Sequence, residues 1–169
     1  ELAGKTERAL QAARKAAQLD GKSTRIQGRP AWILYHAERY VAARQEYLRL
    51  LDRFDDDFKN SEIRDVVRDA KLTLSNIAVF TENVQEAEEW LVQVLCEFPG
   101  DPGASNDLGY LWVEQGARLP RALRMIRLAV QAEPDNQAYR DSLGWAYYRL
   151  KRYDEAVTEL KKAAQGSVE

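Results

Sequence analysis

His36 is the only histidine and Cys96 the only cysteine among 169 residues, so the two most versatile catalytic side chains occur once each. A zinc centre built on two or three histidines cannot be assembled, and nothing places His36 beside a serine nucleophile or beside Cys96. A single cysteine excludes an intramolecular disulfide, which fits a reducing compartment without demanding one. In the register developed below, Cys96 falls late in a helix, where packing or simple exposure is expected. Asp55, Asp56 and Asp57 could attract a cation, but the run lacks the alternating ligands and the glycine of a calcium loop. It lies just ahead of a predicted helix start, where negative charge is favoured, and is read as a solvated turn. No strand pattern leads into a glycine-rich phosphate loop. No cofactor, metal or catalytic activity is expected of the chain.

Charge is segregated. From Leu72 to Ala117 there are eight acidic residues and no basic ones, and from Arg118 to Arg152 eight basic residues oppose Glu133, Asp135 and Asp141. The row Arg118, Arg121, Arg124 and Arg127 suggests nucleic acid. However, the whole chain carries a net charge of -2, and the register sets Glu86 against Arg121 and Glu89 against Arg124 on successive helices. Exposed pairs of this kind are worth only ~0–1 kcal/mol each, yet they account for the segregation without a ligand. Nucleic acid is not expected as a partner. No apolar run reaches the roughly 18 residues of a membrane span, so neither is membrane insertion. The chain reads as soluble, cytoplasmic or periplasmic.

The elements that must position these side chains follow from a repeat. Ala9, Ala43, Ala87, Ala122 and Ala156 are separated by 34, 44, 35 and 34 residues, and an apolar residue follows each alanine by seven (Ala16, Leu50, Val94, Ala129, Ala163). Ahead of the last three alanines stand Leu74-Ser75, Leu108-Gly109 and Leu143-Gly144, and turn prolines follow at Pro99 and Pro134. Small residues at such places let two helices cross at about 8–10 Å. About nine helices are predicted. The first runs from about Thr6, as N-cap, to Leu19, with Ala9, Leu10, Ala13, Ala16 and Ala17 on one face and Gly21 beyond its end. Pro30 starts a short helix through His36, because proline is tolerated in a first turn and not deeper. Tyr40 to Arg53 follows. The ten extra residues of the 44-residue interval extend a helix capped by Asn60 or Ser61 and running to about Glu82, because Ile63, Val66, Val67 and Ala70 keep one apolar stripe. Their overhang must bury against Phe54 and Phe58 or against another chain. Val84 to Glu97, Pro102 to Gln115, Leu119 to Ala132, Asn136 to Leu150 and Tyr153 to Gln165 complete the set, and Gly166 with the polar tail ends it.

This pattern resembles the tetratricopeptide repeat family, whose unit is a helix-turn-helix of about 34 residues with small, aromatic and proline positions. The resemblance is tightest from Asn106 to Ala164, which is similar to the last repeats of long bacterial members. It departs where Gln27, Lys71, Ser105 and Arg140 replace a large aromatic early in each first helix, and where Gly21 and Asp55 replace the turn proline. It implies an all-α, right-handed superhelical solenoid of antiparallel helix pairs. The whole chain, 1–169, would be one domain: a half repeat at 6–23 and repeats at about 24–57, 58–101, 102–136 and 137–169. The unpartnered first helix predicts that the chain starts inside a longer array.

The resemblance also implies a concave groove lined by the first helix of each repeat, and so a non-catalytic scaffold for a protein or peptide. The groove positions are Trp32, Tyr35 and His36; Asn76, Val79 and Phe80; Tyr110, Val113 and Glu114; and Trp145, Tyr148 and Arg149. Rigid aromatic anchors beside one acid and one base suit a peptide, although some of these rings could instead pack between repeats. Gly28, Leu72, Asn106 and Asp141 stand where some relatives carry a carboxylate-clamping lysine, so a receptor for chaperone tails is not implied, although Asn76 matches one clamp asparagine. Two alternatives from other classes remain: a regulatory or substrate-recruiting domain of a larger enzyme, and a module that self-associates through its terminal hairpins or residues 61–70.

Overall fold

In a computed structural model of the chain, which describes residues 2–57 and 59–165, the described residues form nine α-helices. They are α1 (Leu2–Leu19), α2 (Thr24–His36), α3 (Tyr40–Phe54), α4 (Ser61–Phe80), α5 (Val84–Glu97), α6 (Pro102–Glu114), α7 (Leu119–Ala132), α8 (Gln137–Arg149) and α9 (Tyr153–Gln165). The chain gathers into two compact units that divide within α5, between Trp90 and Leu91.

The first unit holds α1 to α4 and the start of α5. Its core is built on Leu34, Tyr47, Leu50, Val67, Leu74 and Ile77. Helix α1 begins at Leu2, so Thr6 lies inside it and is not its N-cap; leucine, alanine and lysine ahead of Thr6 are good helix formers, and Gly4 is tolerated. Leu10 and Ala13 are its buried residues, whereas Ala9 is exposed. The equivalent Ala43, Ala87, Ala122 and Ala156 are buried, each in the second helix of a pair.

Pro30 is also displaced from its predicted role. Ser23 caps α2 by accepting from Ile26 N, so the helix starts at Thr24 and Pro30 falls in its interior. The ring removes one backbone hydrogen bond, but it is buried together with Ala31 and Leu34, and this packing offsets the loss.

The inserted residues are helical. Asn60 caps α4, accepting from Glu62 N at 3.0 Å and Ile63 N at 3.3 Å. Ile63 and Val66 pack with Phe54 against the core; Phe58 lies outside the described residues, as does the tail from Gly166. Asp57 accepts from Lys59 N and Asn60 N, which gives one member of the acidic run a turn-building role. The helix stops at Phe80, short of Glu82, because the chain turns left-handed there.

That turn recurs in every pair. Glu38, Glu82, Gly116 and Lys151 have φ of 57, 59, 67 and 61°. After each, the next amide donates back across the helix end: Arg39 N to Leu34 O, Asn83 N to Ala78 O, Ala117 N to Trp112 O and Arg152 N to Tyr147 O, all at 2.8–2.9 Å. This is the Schellman closure, usually made with glycine. Three of the four turns hold a long charged residue in a conformation that disfavours a Cβ. The residue responsible for the 35-residue interval is absorbed in the α6–α7 turn, where Arg118 is left-handed as well, at φ 48°.

In the second unit Asp101 caps α6 through Ala104 N at 2.7 Å and Asn136 caps α8 through Tyr139 N at 3.3 Å. Trp112, Leu108, Val113, Ile126 and Ala129 are buried. Gly109 faces Ile126 and the Ala122 carbonyl, and Gly144 faces Leu160 and the Ala156 carbonyl. In the first unit Ser75 takes the matching place and donates its hydroxyl to Ala87 O at 3.2 Å.

Three of the four residues that replace the family's early aromatic tie a first helix to the segment before it. Gln27 Nε2 donates to Ala17 O at 2.6 Å and Asp20 O at 2.8 Å, satisfying carbonyls at the end of α1. Lys71, only 1% exposed, reaches Asp55 Oδ1 at 2.7 Å. Arg140 donates to Pro134 O at 2.8 Å and to Glu159 at 2.9 Å. In all three the polar head bonds the adjoining turn or helix.

Candidate functional site

Helices α2, α4, α6 and α8 come first in their pairs and carry the twelve residues singled out from sequence. Within the first unit Trp32, Tyr35 and His36 meet on α2, with ring centroids 4.1 Å (Trp32 to His36) and 5.2 Å (Tyr35 to His36) apart. Phe80 of α4 joins them, 6.5 Å from Tyr35. The Asn76 amide is hydrogen-bonded to the Tyr35 hydroxyl, whose pKa burial pushes upward. Trp32 and Phe80 are exposed. A ring not anticipated completes the group: Tyr40, the first residue of α3, stacks on Phe80 at 4.9 Å and 20°.

In the second unit the Trp145 indole N–H donates to the Glu114 carboxylate, and Trp145 and Tyr148 stack at 5.2 Å and 16°. Arg149 donates to the Glu114 main-chain carbonyl at 3.2 Å with its guanidinium 6.0 Å from the Trp145 ring. Tyr110 and Tyr148 are exposed. Tyr153, which opens α9, lies 5.8 Å from Tyr148 and plays the part of Tyr40. Both tyrosines stand three residues ahead of a repeat alanine, Ala43 or Ala156, a signal that could have found them. One assignment fails: Val113 is fully buried and belongs to the core, not to the exposed face.

The added turns of α4 have a second consequence. Together with α2 and α3 they enclose a pocket of about 430 Å³ lined by Arg25, Arg29, Trp32, Tyr47, Asp69 and Thr73, among others. Arg29 lies over the Trp32 ring at 4.5 Å. The Tyr47 hydroxyl is hydrogen-bonded to Thr73, and burial pushes its pKa up to about 12.

Electrostatics also revise the expected pairing. Glu86 is engaged by Arg44 of α3, at 2.6 Å, and by the Trp90 indole at 3.3 Å, while Arg118 and Arg121 lie over the Trp112 ring. Glu89 accepts from Gln85. Asp107 of α6 has its pKa raised, chiefly by burial and further by Asp101, against one stabilising hydrogen bond from Asn106 Nδ2 at 3.1 Å. The sign follows from linkage. A carboxyl whose folded pKa lies above its unfolded value costs stability once ionised, and the cost is absent below the unfolded pKa of about 3.9. Asp107→Asn should therefore raise the melting temperature at neutral pH, and the gain should vanish as pH falls through the carboxylate range. Thermal scans from acid to neutral pH check this.

Cys96 is exposed, and no helix among the described residues is long and apolar enough to cross a membrane.

These features define a protein of paired helices in repeat, whose first helices present rings, a histidine, an acid and a base. A tetratricopeptide repeat profile matches residues 3–58 and 116–167, more than half of the chain, and the chain belongs to that family. It is 31% identical over 93 residues to the TPR repeat-containing protein PA4667 of Pseudomonas aeruginosa, a match that takes in 55% of this chain and 16% of that protein. The chain therefore spans a small part of the curated relative it matches. Among solved structures, MamA residues 41 to end from Desulfovibrio magneticus RS-1 superposes with a TM-score of 0.74 at 18% identity, covering 97% of this chain and 86% of that one. YrrB, described as a TPR protein with an unusual peptide-binding site, superposes with a TM-score of 0.66 at 20% identity, covering 97% and 79%.

Proposed function

We propose that this chain is a non-catalytic scaffold that binds a protein or peptide through the exposed rings of its first helices, α2 and α4 in the first unit and α6 and α8 in the second. The chain is read as repeats at about 24–57, 58–101, 102–136 and 137–169. The observation that carries the reading is the state of the rings: Trp32, Phe80, Tyr110 and Tyr148 are exposed, yet their neighbours are fixed by stacking and by the Trp145–Glu114 and Arg149–Glu114 hydrogen bonds. Rings held on rigid helices lose little entropy on contact and supply most of the energy at protein interfaces. The peptide site described for the similarly folded YrrB lends support to a peptide as the ligand class.

Amide exchange of the intact chain, with and without a partner recovered by affinity capture, tests the location. Protection is expected on α2, α4, α6 and α8. Protection confined to α3, α5, α7 and α9 would move the site to the opposite surface.

A further inference from the structure

We infer that the cavity enclosed by α2, α3 and α4 is a binding site for a small zwitterion, a free α-amino acid with an apolar side chain. The cavity lies within the first unit and shares only Trp32 with the residues of the proposed peptide site, so it stands apart from the reading above. Its volume of about 430 Å³ falls within the roughly 300–1,000 Å³ of small-molecule sites.

Charge is divided between its walls. Arg25 and Arg29, one turn apart, line the α2 side, and Glu62, Asp65 and Asp69 line the α4 side. Among the described residues no ion pair crosses the cavity. Asp65 and Asp69 are taken by Arg68 of their own helix, at 3.5 and 3.0 Å, and Arg29 rests over the Trp32 ring at 4.5 Å. Arg25, Arg29 and Arg68 balance Glu62, Asp65 and Asp69 in sum. A purely anionic or cationic ligand therefore loses at one wall what it gains at the other, whereas a zwitterion is matched by both.

The α3 side fixes which end goes where. Tyr47 is 6% exposed, and its hydroxyl is hydrogen-bonded to Thr73, which also lines the cavity. Thr73 spends its own proton on Asp69 O at 2.8 Å, so the phenol donates to Thr73 and its oxygen keeps a lone pair for an N–H. The Asp69 carboxylate lies within electrostatic reach of the same phenol. An ammonium, with three donors, can satisfy the phenol oxygen and a carboxylate together. On the other side the two guanidiniums present the planar fork that a carboxylate fills. Leu50, Val66 and Trp32 supply apolar surface for the ligand's side chain.

Isothermal titration calorimetry of the whole chain with three probes tests this: L-phenylalanine, N-acetyl-L-phenylalanine, which lacks the ammonium, and L-phenylalaninamide, which lacks the carboxylate. L-Phenylalanine is expected to bind about tenfold more tightly than either, because each blocked form forfeits hydrogen bonds to a charged group. Arg25→Gln combined with Arg29→Gln should bring phenylalanine down to the level of its amide, and Asp69→Asn should bring it toward the N-acetyl form, with circular dichroism unchanged in both. Equal binding of phenylalanine and either blocked form, no binding of any probe, or selectivity that survives the arginine changes overturns the inference. Trp145→Ala, which tests the peptide-binding reading, should leave all three titrations unchanged; a loss there would place the binding outside this cavity and overturn the inference as well.

Discussion

Gly109→Leu is expected to destabilise the protein more than the same change at Gly144, although both glycines occupy the crossing of a helix pair. A Cβ at Gly109 would stand 2.7 Å from Ile126 Cγ1 and 3.0 Å from the Ala122 carbonyl oxygen. Ile126 is completely buried, and the carbonyl belongs to the backbone of α7, so neither can retreat without moving the helices apart. At Gly144 the closest atoms, at 2.6 and 2.8 Å, belong to the Leu160 side chain, with the Ala156 carbonyl at 3.3 Å. Leu160 is 37% exposed and can swing toward solvent. Overpacking costs ~1–3 kcal/mol in general; Gly109→Leu should reach the upper end and Gly144→Leu the lower. At about 2–4 °C per kcal/mol for a chain of this size, thermal scans resolve the two. Equal melting temperatures would mean that the crossings are not set by these contacts.

A similar loss is expected from Asp55→Ala, at a position that looks like a solvated turn in the sequence. Lys71 is 1% exposed and its ammonium lies 2.7 Å from Asp55 Oδ1. Removing one member of a buried pair costs 3–5 kcal/mol because it leaves a buried charge. Asp55 is 40% exposed, so water partly replaces it and a cost of ~1–3 kcal/mol is expected here. The reverse change differs in kind: Lys71→Met keeps the stem, removes the charge and should be close to neutral. Denaturant titrations of Asp55→Ala, Lys71→Met and the double variant decide the matter. The double variant should recover most of what Asp55→Ala loses. If it is as unstable as Asp55→Ala, the lysine charge is not the source of the loss.

The skeleton was legible because it rests on side-chain volume. Ala43, Ala87, Ala122 and Ala156 are buried as the register requires, and an unbroken apolar stripe was enough to place the insertion in α4. Polar and conformational devices were harder to see. Gln27, Lys71 and Arg140 read as departures from the family pattern, because a sequence shows the loss of an aromatic and not the carbonyl or carboxylate that the new head group finds. The left-handed turns were hidden because only Gly116 announces one; Glu38, Glu82 and Lys151 adopt the same backbone under the constraint of the two helices they join. Thr6 and Pro30 misled because local start signals yielded to a longer helix and to buried packing. At the candidate site the twelve singled-out residues fall on the helices expected of them, while Tyr40 and Tyr153 escaped because they belong to second helices. Val113 was assigned by register alone, and it is buried.

The most direct test of ring-centred recognition compares two substitutions on opposite kinds of helix. Trp145 on α8 stacks on Tyr148 and donates to Glu114, whereas Arg124 is an exposed residue of α7. Titration of a captured partner should show Trp145→Ala at least tenfold weaker, an effect of ~1.4 kcal/mol, with helical content intact, and Arg124→Glu close to the parent chain. Abolition by Arg124→Glu with Trp145→Ala neutral would contradict the account, and so would a Trp145→Ala chain that loses the α8–α9 hairpin, since the ring would then be part of the core.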